Sequence, residues 1–255
     1  MTVLSTEAVC KRFGGVEAVA GLTIAIDAGR ITGLIGPNGA GKTTMVNLIT
    51  GLLQATSGRI LLHGEDITAL SANQVARRGV ARTFQNIRLL KEATVLDNII
   101  VGYHIREKTG LIDNLLGLPA ARRERRLFRS WAQELIRRFR MERYRDHQAG
   151  SLSYGHQRRV EIMRALAMDP KLLLLDEPVA GMNDVEADEL GVIFRDLASQ
   201  GIAVLLIEHN MRFVMSHCEQ IYVVNAGRLI ASGTPEAVSS DPTVISAYLG
   251  DAVSA

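Results

Sequence analysis

The run Gly36-Pro37-Asn38-Gly39-Ala40-Gly41-Lys42-Thr43-Thr44 constrains this chain more than any other stretch. It follows the β-rich apolar stretch Arg30–Gly36 and opens a helix-forming stretch, Lys42–Leu52. Its glycines permit a turn in which successive backbone N–H groups face one point. The helix behind adds the positive end of its dipole to that point. The spacing G-x-x-x-x-G-K-[ST] suits a phosphate chain: Lys42 reaches the β- and γ-phosphates and the Thr43 hydroxyl ligates Mg²⁺. Thr44 offers a hydroxyl to the α-phosphate. A chance match arises on the order of once per hundred chains of this length, and few such matches sit between an apolar strand and a helix.

A second signal stands far downstream. Leu172-Leu173-Leu174-Leu175 reads as a buried strand that ends in Asp176-Glu177. Asp176 is the candidate for the Mg²⁺ shell, and Glu177 the candidate general base for an attacking water. Around them strands and helices alternate: Lys171–Asp176 and Ile202–Ile207 as strands, Asp184–Ser199 as a helix. Continuous apolar strands of this kind suit a parallel sheet covered on both faces. The first third reads differently, with Ala18–Asp27 and Gly58–His63 as further strands, and Gln220–Ser232 reads as a hairpin turning at Asn225-Ala226-Gly227.

From about Asn86 to Gln157 the pattern shifts toward helix. Thr94–Tyr103 carries apolar residues at helical spacing, and Leu127, Trp131, Leu135 and Phe139 form a stripe expected to face a core. Pro119–Arg145 holds ten Arg against three Glu, a local charge of 10 − 3 = +7, whereas the whole chain carries 29 − 27 = +2. The arginines opposite the stripe suit a solvated helix face, and contact with anionic lipid headgroups is a second reading. Nucleic acid is disfavoured, because the aromatic residues here lie mostly on the apolar stripe and leave few stacking platforms. Leu115-Leu116-Gly117-Leu118-Pro119 is apolar and loop-like, fit to dock on a partner or to cover its own helix. The longest clean apolar runs, Leu172–Leu175 and Ile202–Ile207, fall far short of the roughly 20 residues a membrane span needs. No secretory signal is expected at Met1–Glu7. Cys10 and Cys218 lack CxxC spacing and are expected to be buried, reduced thiols.

Leu152-Ser153-Tyr154-Gly155-His156-Gln157, at the start of a helix before the Asp176 strand, resembles the L-S-G-G-Q signature of ATP-binding cassette (ABC) ATPases. Further elements follow in that family's order. Gln85, in Arg82-Thr83-Phe84-Gln85, resembles the Q-loop glutamine. Ala180-Gly181-Met182-Asn183 stands where the D-loop should be, and His209 matches the switch histidine. Phe13 resembles the aromatic that stacks on adenine, with Val19 a second candidate for that contact. The resemblance covers nearly the whole chain. It implies an α/β fold of the P-loop NTPase type: a RecA-like core (1–85 and 158–255), an antiparallel β subdomain and an inserted helical subdomain (86–157).

The same resemblance implies ATP and Mg²⁺ as ligands, with Gln85 joining Thr43 and Asp176 around the metal. Ser153, Gly155 and His156 are then expected to complete the ATP site of an opposite subunit in a head-to-tail dimer. The sequence departs from the family at Tyr154 (usually Gly), His156 (usually Gln) and Asn183 (usually Asp). Arg82–Leu89, the helical insert, the Tyr-Gly-His-Gln-Arg-Arg signature and the tail Ala247-Tyr248-Leu249-Gly250 look like the larger ATPase of branched-chain (hydrophobic) amino-acid importers. That group implies a paralogous ATPase partner, two membrane permease subunits and, indirectly, an extracytoplasmic solute-binding protein. It also implies a peripheral position on the cytoplasmic face of the inner (plasma) membrane. Urea or amide uptake, lipid or polysaccharide export, and a non-transport ABC ATPase remain alternatives at this stage, because no residue of this chain need touch the solute.

Overall fold

The structure is a computed structural model that describes residues 1–110, 113, 115, 116 and 118–252, with side chains to residue 248. The chain divides into two units. The first comprises Met1–Arg82, Lys171–Pro178 and the chain from Asp184 onward. Its antiparallel sheet contains β1 (Thr2–Phe13), β2 (Val16–Leu22), β3 (Ala25–Asp27), β5 (Ser57–Leu62) and β6 (Glu65–Asp66). Its second sheet contains β4 (Ile31–Ile35), β7 (Val80–Arg82), β8 (Leu172–Asp176), β9 (Ala203–Ile207), β10 (Gln220–Asn225) and β11 (Arg228–Gly233). The order is β11-β10-β4-β9-β8-β7, and β10, β4, β9, β8 and β7 run parallel.

Every residue of β4, β8 and β9 is buried, the reason these strands read as continuous apolar runs. The expected hairpin joins β10 to β11 through Ala226 and Gly227, both at positive φ. That geometry matches the right-handed twist of the two strands. Helix α1 (Lys42–Ile49) buries Met45, Val46, Leu48 and Ile49. It stops short of the expected Leu52, because Gly51 takes a left-handed φ of 68° and passes so close to Leu70 that a Cβ there would stand 2.6 Å from the Leu70 carbonyl oxygen. Leu4, Ile26, Val46, Ile49, Ile60 and Leu205 belong to one core that joins both sheets of this unit. The remaining helices of the unit are α2 (Ala72–Arg77), α6 (Asp184–Ser199), α7 (Met211–His217), α8 (Pro235–Ser239) and α9 (Pro242–Ala252).

The second unit comprises Thr83–Pro170 and Val179–Asn183, and so reaches beyond the 86–157 drawn from composition. It holds α3 (Val95–Gly102), α4 (Pro119–Arg138) and α5 (Tyr154–Leu166). Helices α3 and α5 meet backbone to backbone at Gly102, where a Cβ would stand 2.2 Å from the Arg164 carbonyl oxygen. Pro119 starts α4 at a first-turn position that needs no N–H partner.

The expected core stripe of α4 is rotated. Ala121, Phe128, Ala132 and Ile136 are buried, and Phe139 beyond the helix is buried with them. Leu127 and Trp131 are 45% and 40% exposed. The small Ala121 and Ala132 let the helix approach its neighbours closely, and Phe128 stacks on Tyr103 with ring centroids 5.2 Å apart. Trp131 lies at the edge of that stack, 5.7 Å from Tyr103 and beneath the Arg106 guanidinium. Arg122, Arg123, Arg125, Arg126 and Arg129 are all exposed on the other side. Of the apolar loop before α4, Gly117 lies outside the described residues, and Leu115, Leu116 and Leu118 are exposed. Cys218 is buried, which pushes its thiol up to about 12, but Cys10 is only half-buried. Among the described residues no helix is long and apolar enough to cross a membrane.

Candidate functional site

Gly36 to Thr44 leaves the C-terminal end of β4 and enters α1, in the middle of the parallel sheet. Two glycines are required sterically. A Cβ at Gly36 (φ 150°) would stand 2.0 Å from the Val224 carbonyl oxygen, and one at Gly41 (φ 100°) 2.4 Å from that of Ala18. Neither position accommodates another residue without moving backbone. Lys42 Nζ donates to the carbonyls of Gly36 (2.7 Å) and Pro37 (2.9 Å), which holds the ammonium against the loop. Burial pulls its pKa below the usual lysine value, and the Glu177 and Asp176 carboxylates counter that shift.

Asp176 is the last residue of β8, and Glu177 follows it. Glu177 adopts a left-handed φ of 48°, an uncommon conformation for a residue with a Cβ, while its N–H donates to the Ile207 carbonyl at 2.9 Å. His209 follows the end of β9 in the same sheet, with Nδ1 3.6 Å from Glu177 Oε1 and 3.9 Å from Glu208 Oε2. One unit thus gathers Gly36–Thr44, Asp176, Glu177 and His209 at the C-terminal edge of its parallel strands, where open α/β sheets bind ligands.

Sequence reasoning missed two supports here. Arg82, at the end of β7, donates to Asp176 Oδ2 at 2.9 Å and to Asn47 Oδ1 at 2.5 Å. The parallel register of β7 on β8 brings it there, a long-range pairing invisible in a local motif. Glu208, also buried, accepts from the N–H groups of His209 and Asn210 and shapes the turn that carries His209. Phe13 and Val19 part company: Phe13 is 47% exposed with Lys11 Nζ over its ring, while Val19 is 1% exposed in the core. Only Phe13 presents a surface on which a planar base could stack.

Gln85, Ser153, Gly155 and His156 belong to the other unit. The segment carrying Gln85 is held by a buried ion pair. Arg158, fully buried, donates to the carbonyls of Phe84 (2.5 Å) and Gln85 (2.9 Å) and to Glu161 Oε2 (2.7 Å). Glu161 Oε1 accepts from the N–H groups of Phe84 and Arg88. Arg158→Met strands the Glu161 carboxylate in the interior. The expected loss is about 3–5 kcal/mol, read as a lower urea midpoint of Trp131 fluorescence, since this chain's single tryptophan lies in that unit. An unchanged midpoint would show that the pair does not support the segment.

Tyr154 also has a structural partner. Its hydroxyl accepts from Arg158 at 3.3 Å, and its ring lies where a Cβ on Gly181 (φ 72°) would touch it at 3.5 Å. The departure at Tyr154 therefore lies beside Gly181, a proximity within one unit that sequence order alone did not suggest.

The oxygen donors of Thr43, Asp176 and Gln85 are hard ligands of the kind Mg²⁺ takes beside phosphates and water. Among the described residues no group of three His, Cys, Asp or Glu could hold a metal by itself. Thr43 and Asp176 in one unit suit an ion that arrives with a phosphate chain.

A glycine cradle with its lysine, at the C-terminal edge of a parallel sheet beside a strand-ending Asp-Glu pair, defines a P-loop nucleotide-binding ATPase. Residues 19–180 match the family described as ABC transporter, and residues 228–254 match that described as Branched-chain amino acid ATP-binding cassette transporter. The chain is 43% identical over 251 residues to the high-affinity branched-chain amino acid transport ATP-binding protein BraF of Pseudomonas aeruginosa, covering 98% of each chain. It is 38% identical, at the same coverage, to the lipopolysaccharide export system ATP-binding protein LptB of Haemophilus influenzae. Among solved structures, the ADP conformation of MJ1267, an ATP-binding cassette of an ABC transporter, superposes with a TM-score of 0.86 at 35% identity, covering 98% of this chain and 99% of that one. This chain belongs to the ABC transporter family, as an ATP-binding cassette that binds and hydrolyses nucleotide. The α/β P-loop fold expected from the motifs is the fold observed.

Proposed function

We propose that this chain is the ATP-hydrolysing subunit of an importer for branched-chain or other hydrophobic amino acids. The observation that carries the reading is the match of residues 228–254 to the branched-chain family. Overall identity alone separates the BraF relative from the LptB relative less sharply, at 43% against 38% over the same length. Lipopolysaccharide export is therefore the reading to test against.

In this reading the Gly36–Thr44 backbone and Lys42 hold the phosphates of ATP, and Phe13 takes the adenine. Thr43, Asp176 and Gln85 hold Mg²⁺, which neutralises phosphate charge when bound. Glu177 accepts a proton from the attacking water, and His209, beside it, contacts the γ-phosphate. Ser153, Gly155 and His156 face the nucleotide of a second cassette, a copy of this chain or a paralogue. Two permease subunits anchor the pair at the cytoplasmic face of the membrane, and an extracytoplasmic binding protein delivers the solute.

The test is reconstitution with the permeases and binding protein. Leucine-loaded binding protein is expected to raise ATP turnover several-fold, while free leucine leaves the isolated chain unaffected. Substitution of Arg88, whose guanidinium lies 4.6 Å over the Phe84 ring, or of Leu89 is expected to reduce the stimulation more than basal hydrolysis. Stimulation by lipopolysaccharide precursors instead, or direct stimulation of the isolated chain by leucine, would overturn the assignment.

A further inference from the structure

Arg82 ends β7 and pairs in parallel register with Leu174 of β8. Side chains alternate along a strand, so Leu174 and Asp176 point to one face of the sheet. Arg82 meets Asp176 there: its Nη2 donates to Asp176 Oδ2 at 2.9 Å, and both side chains are buried. The other arm of the guanidinium, Nη1, donates to Asn47 Oδ1 at 2.5 Å. Asn47 lies on α1 four residues after Thr43, the spacing that sets two side chains on one face of a helix. One planar fork therefore ties the strand that ends in Asp176 to the helix that carries Thr43. All of these residues belong to one unit. The Asp176 carboxylate also acts on the Lys42 ammonium of the phosphate loop.

Two effects of the guanidinium on an incoming cation oppose each other. Its charge repels the ion, and its hydrogen bond fixes the direction of the carboxylate that meets the ion. The repulsion is weakened because the charge already faces a carboxylate at contact distance, which leaves the pair close to neutral as a whole. Loss of the groups that orient metal ligands ordinarily costs about 10- to 100-fold in metal affinity. Orientation is therefore the larger effect. It also needs arginine, because a lysine ammonium on its flexible stem offers no rigid fork to hold Asn47 and Asp176 at once.

We propose that Arg82 is a positioning residue for the metal: its two arms hold the Asp176 carboxylate in place relative to Thr43, so that both side chains meet one Mg²⁺ beside the phosphates. The inference rests on the reading above that Thr43 and Asp176 hold Mg²⁺, and adds what fixes them relative to each other.

The experiment uses the full chain with a non-hydrolysable ATP analogue, the chain in excess, and Mn²⁺ as the probe for Mg²⁺. The free-ion electron paramagnetic resonance signal gives the Mn²⁺ affinity of the nucleotide-bound chain without any turnover. Calorimetric titration of the analogue in EDTA gives nucleotide affinity without metal. Arg82→Gln is expected to weaken Mn²⁺ binding about 10-fold, the lower end of the range above because the phosphates also hold the ion. Analogue affinity in EDTA is expected to stay unchanged. Arg82→Lys keeps the buried charge paired, so it decides the matter if the glutamine variant fails to fold, and it too is expected to weaken Mn²⁺ binding. Unchanged or tighter Mn²⁺ binding in either folded variant overturns the proposal. So does an equal loss of analogue affinity in EDTA, which would mark a merely structural support. Asp176→Asn separates the two levels of the reading. If it weakens Mn²⁺ binding while the Arg82 variants do not, this inference alone falls. If it leaves Mn²⁺ binding unchanged, the metal reading and this inference fall together.

Discussion

Lys42→Ala is expected to abolish ATP hydrolysis and to weaken nucleotide binding by about 10- to 150-fold, the equivalent of losing one charged hydrogen-bonding partner worth about 1.5–3 kcal/mol. Lys42 is the cation that the loop itself supplies, and its ammonium is already held by the carbonyls of Gly36 and Pro37. Little reorganisation is needed to turn it onto a phosphate. Alanine leaves the backbone cradle intact, because Gly36 and Gly41 set that geometry and Lys42 begins an ordinary helix. The binding loss therefore reads the charge rather than a collapsed loop. Isothermal titration of the purified variant measures the affinity, and phosphate release from the assembled complex measures turnover. Near-normal turnover would remove the phosphate site from Gly36–Thr44.

Glu177→Gln is expected to lower turnover by about 10²–10⁴-fold, the range a positioned general base contributes, with ATP affinity kept or raised. The amide fills the same space and preserves the bond of the Glu177 N–H to Ile207, but it cannot accept a proton from water. It also removes a negative charge from the neighbourhood of Lys42. Because products no longer form, nucleotide-bound pairs of cassettes are expected to accumulate. Gel filtration with ATP and Mg²⁺ should show that species for the variant and far less of it for the unsubstituted protein. Wild-type turnover in the variant would transfer the base to another residue. The left-handed backbone at Glu177 argues that this carboxylate is held where it is against a local cost of about 1–3 kcal/mol.

The residues of the phosphate cradle were legible because their chemistry is local. A glycine turn between a strand and a helix needs particular residue types at fixed spacing, and Gly36 to Thr44 supplies them within nine positions. The same holds for Leu172–Leu175, whose four apolar side chains suit a strand buried on both faces. It holds again for the Asn225-Ala226-Gly227 turn, which needs positive φ. The packing of the helical insert was less legible. Periodicity located α4 but placed its buried face one residue off, since Leu127 and Trp131 are large enough to read as core while Ala121 and Ala132 make the close approach. Size in sequence does not report which side of a helix finds a partner.

By itself the sequence determined the phosphate-binding turn, the acidic strand end, the order of the motifs and hence the cassette family. Each is set by residue type at short range or by linear order. Only the tertiary structure decided what holds those pieces in place. Arg82 reaches Asp176 because β7 lies parallel beside β8. Arg158 and Glu161 clamp the Gln85 segment from seventy-three residues downstream. Tyr154 lies beside Gly181, and Ser153 turns its hydroxyl from the helix backbone to His156. These contacts join residues far apart in the chain, or choose among local hydrogen bonds of similar strength. Burial and strand register settle both, and neither is written in any short stretch of sequence.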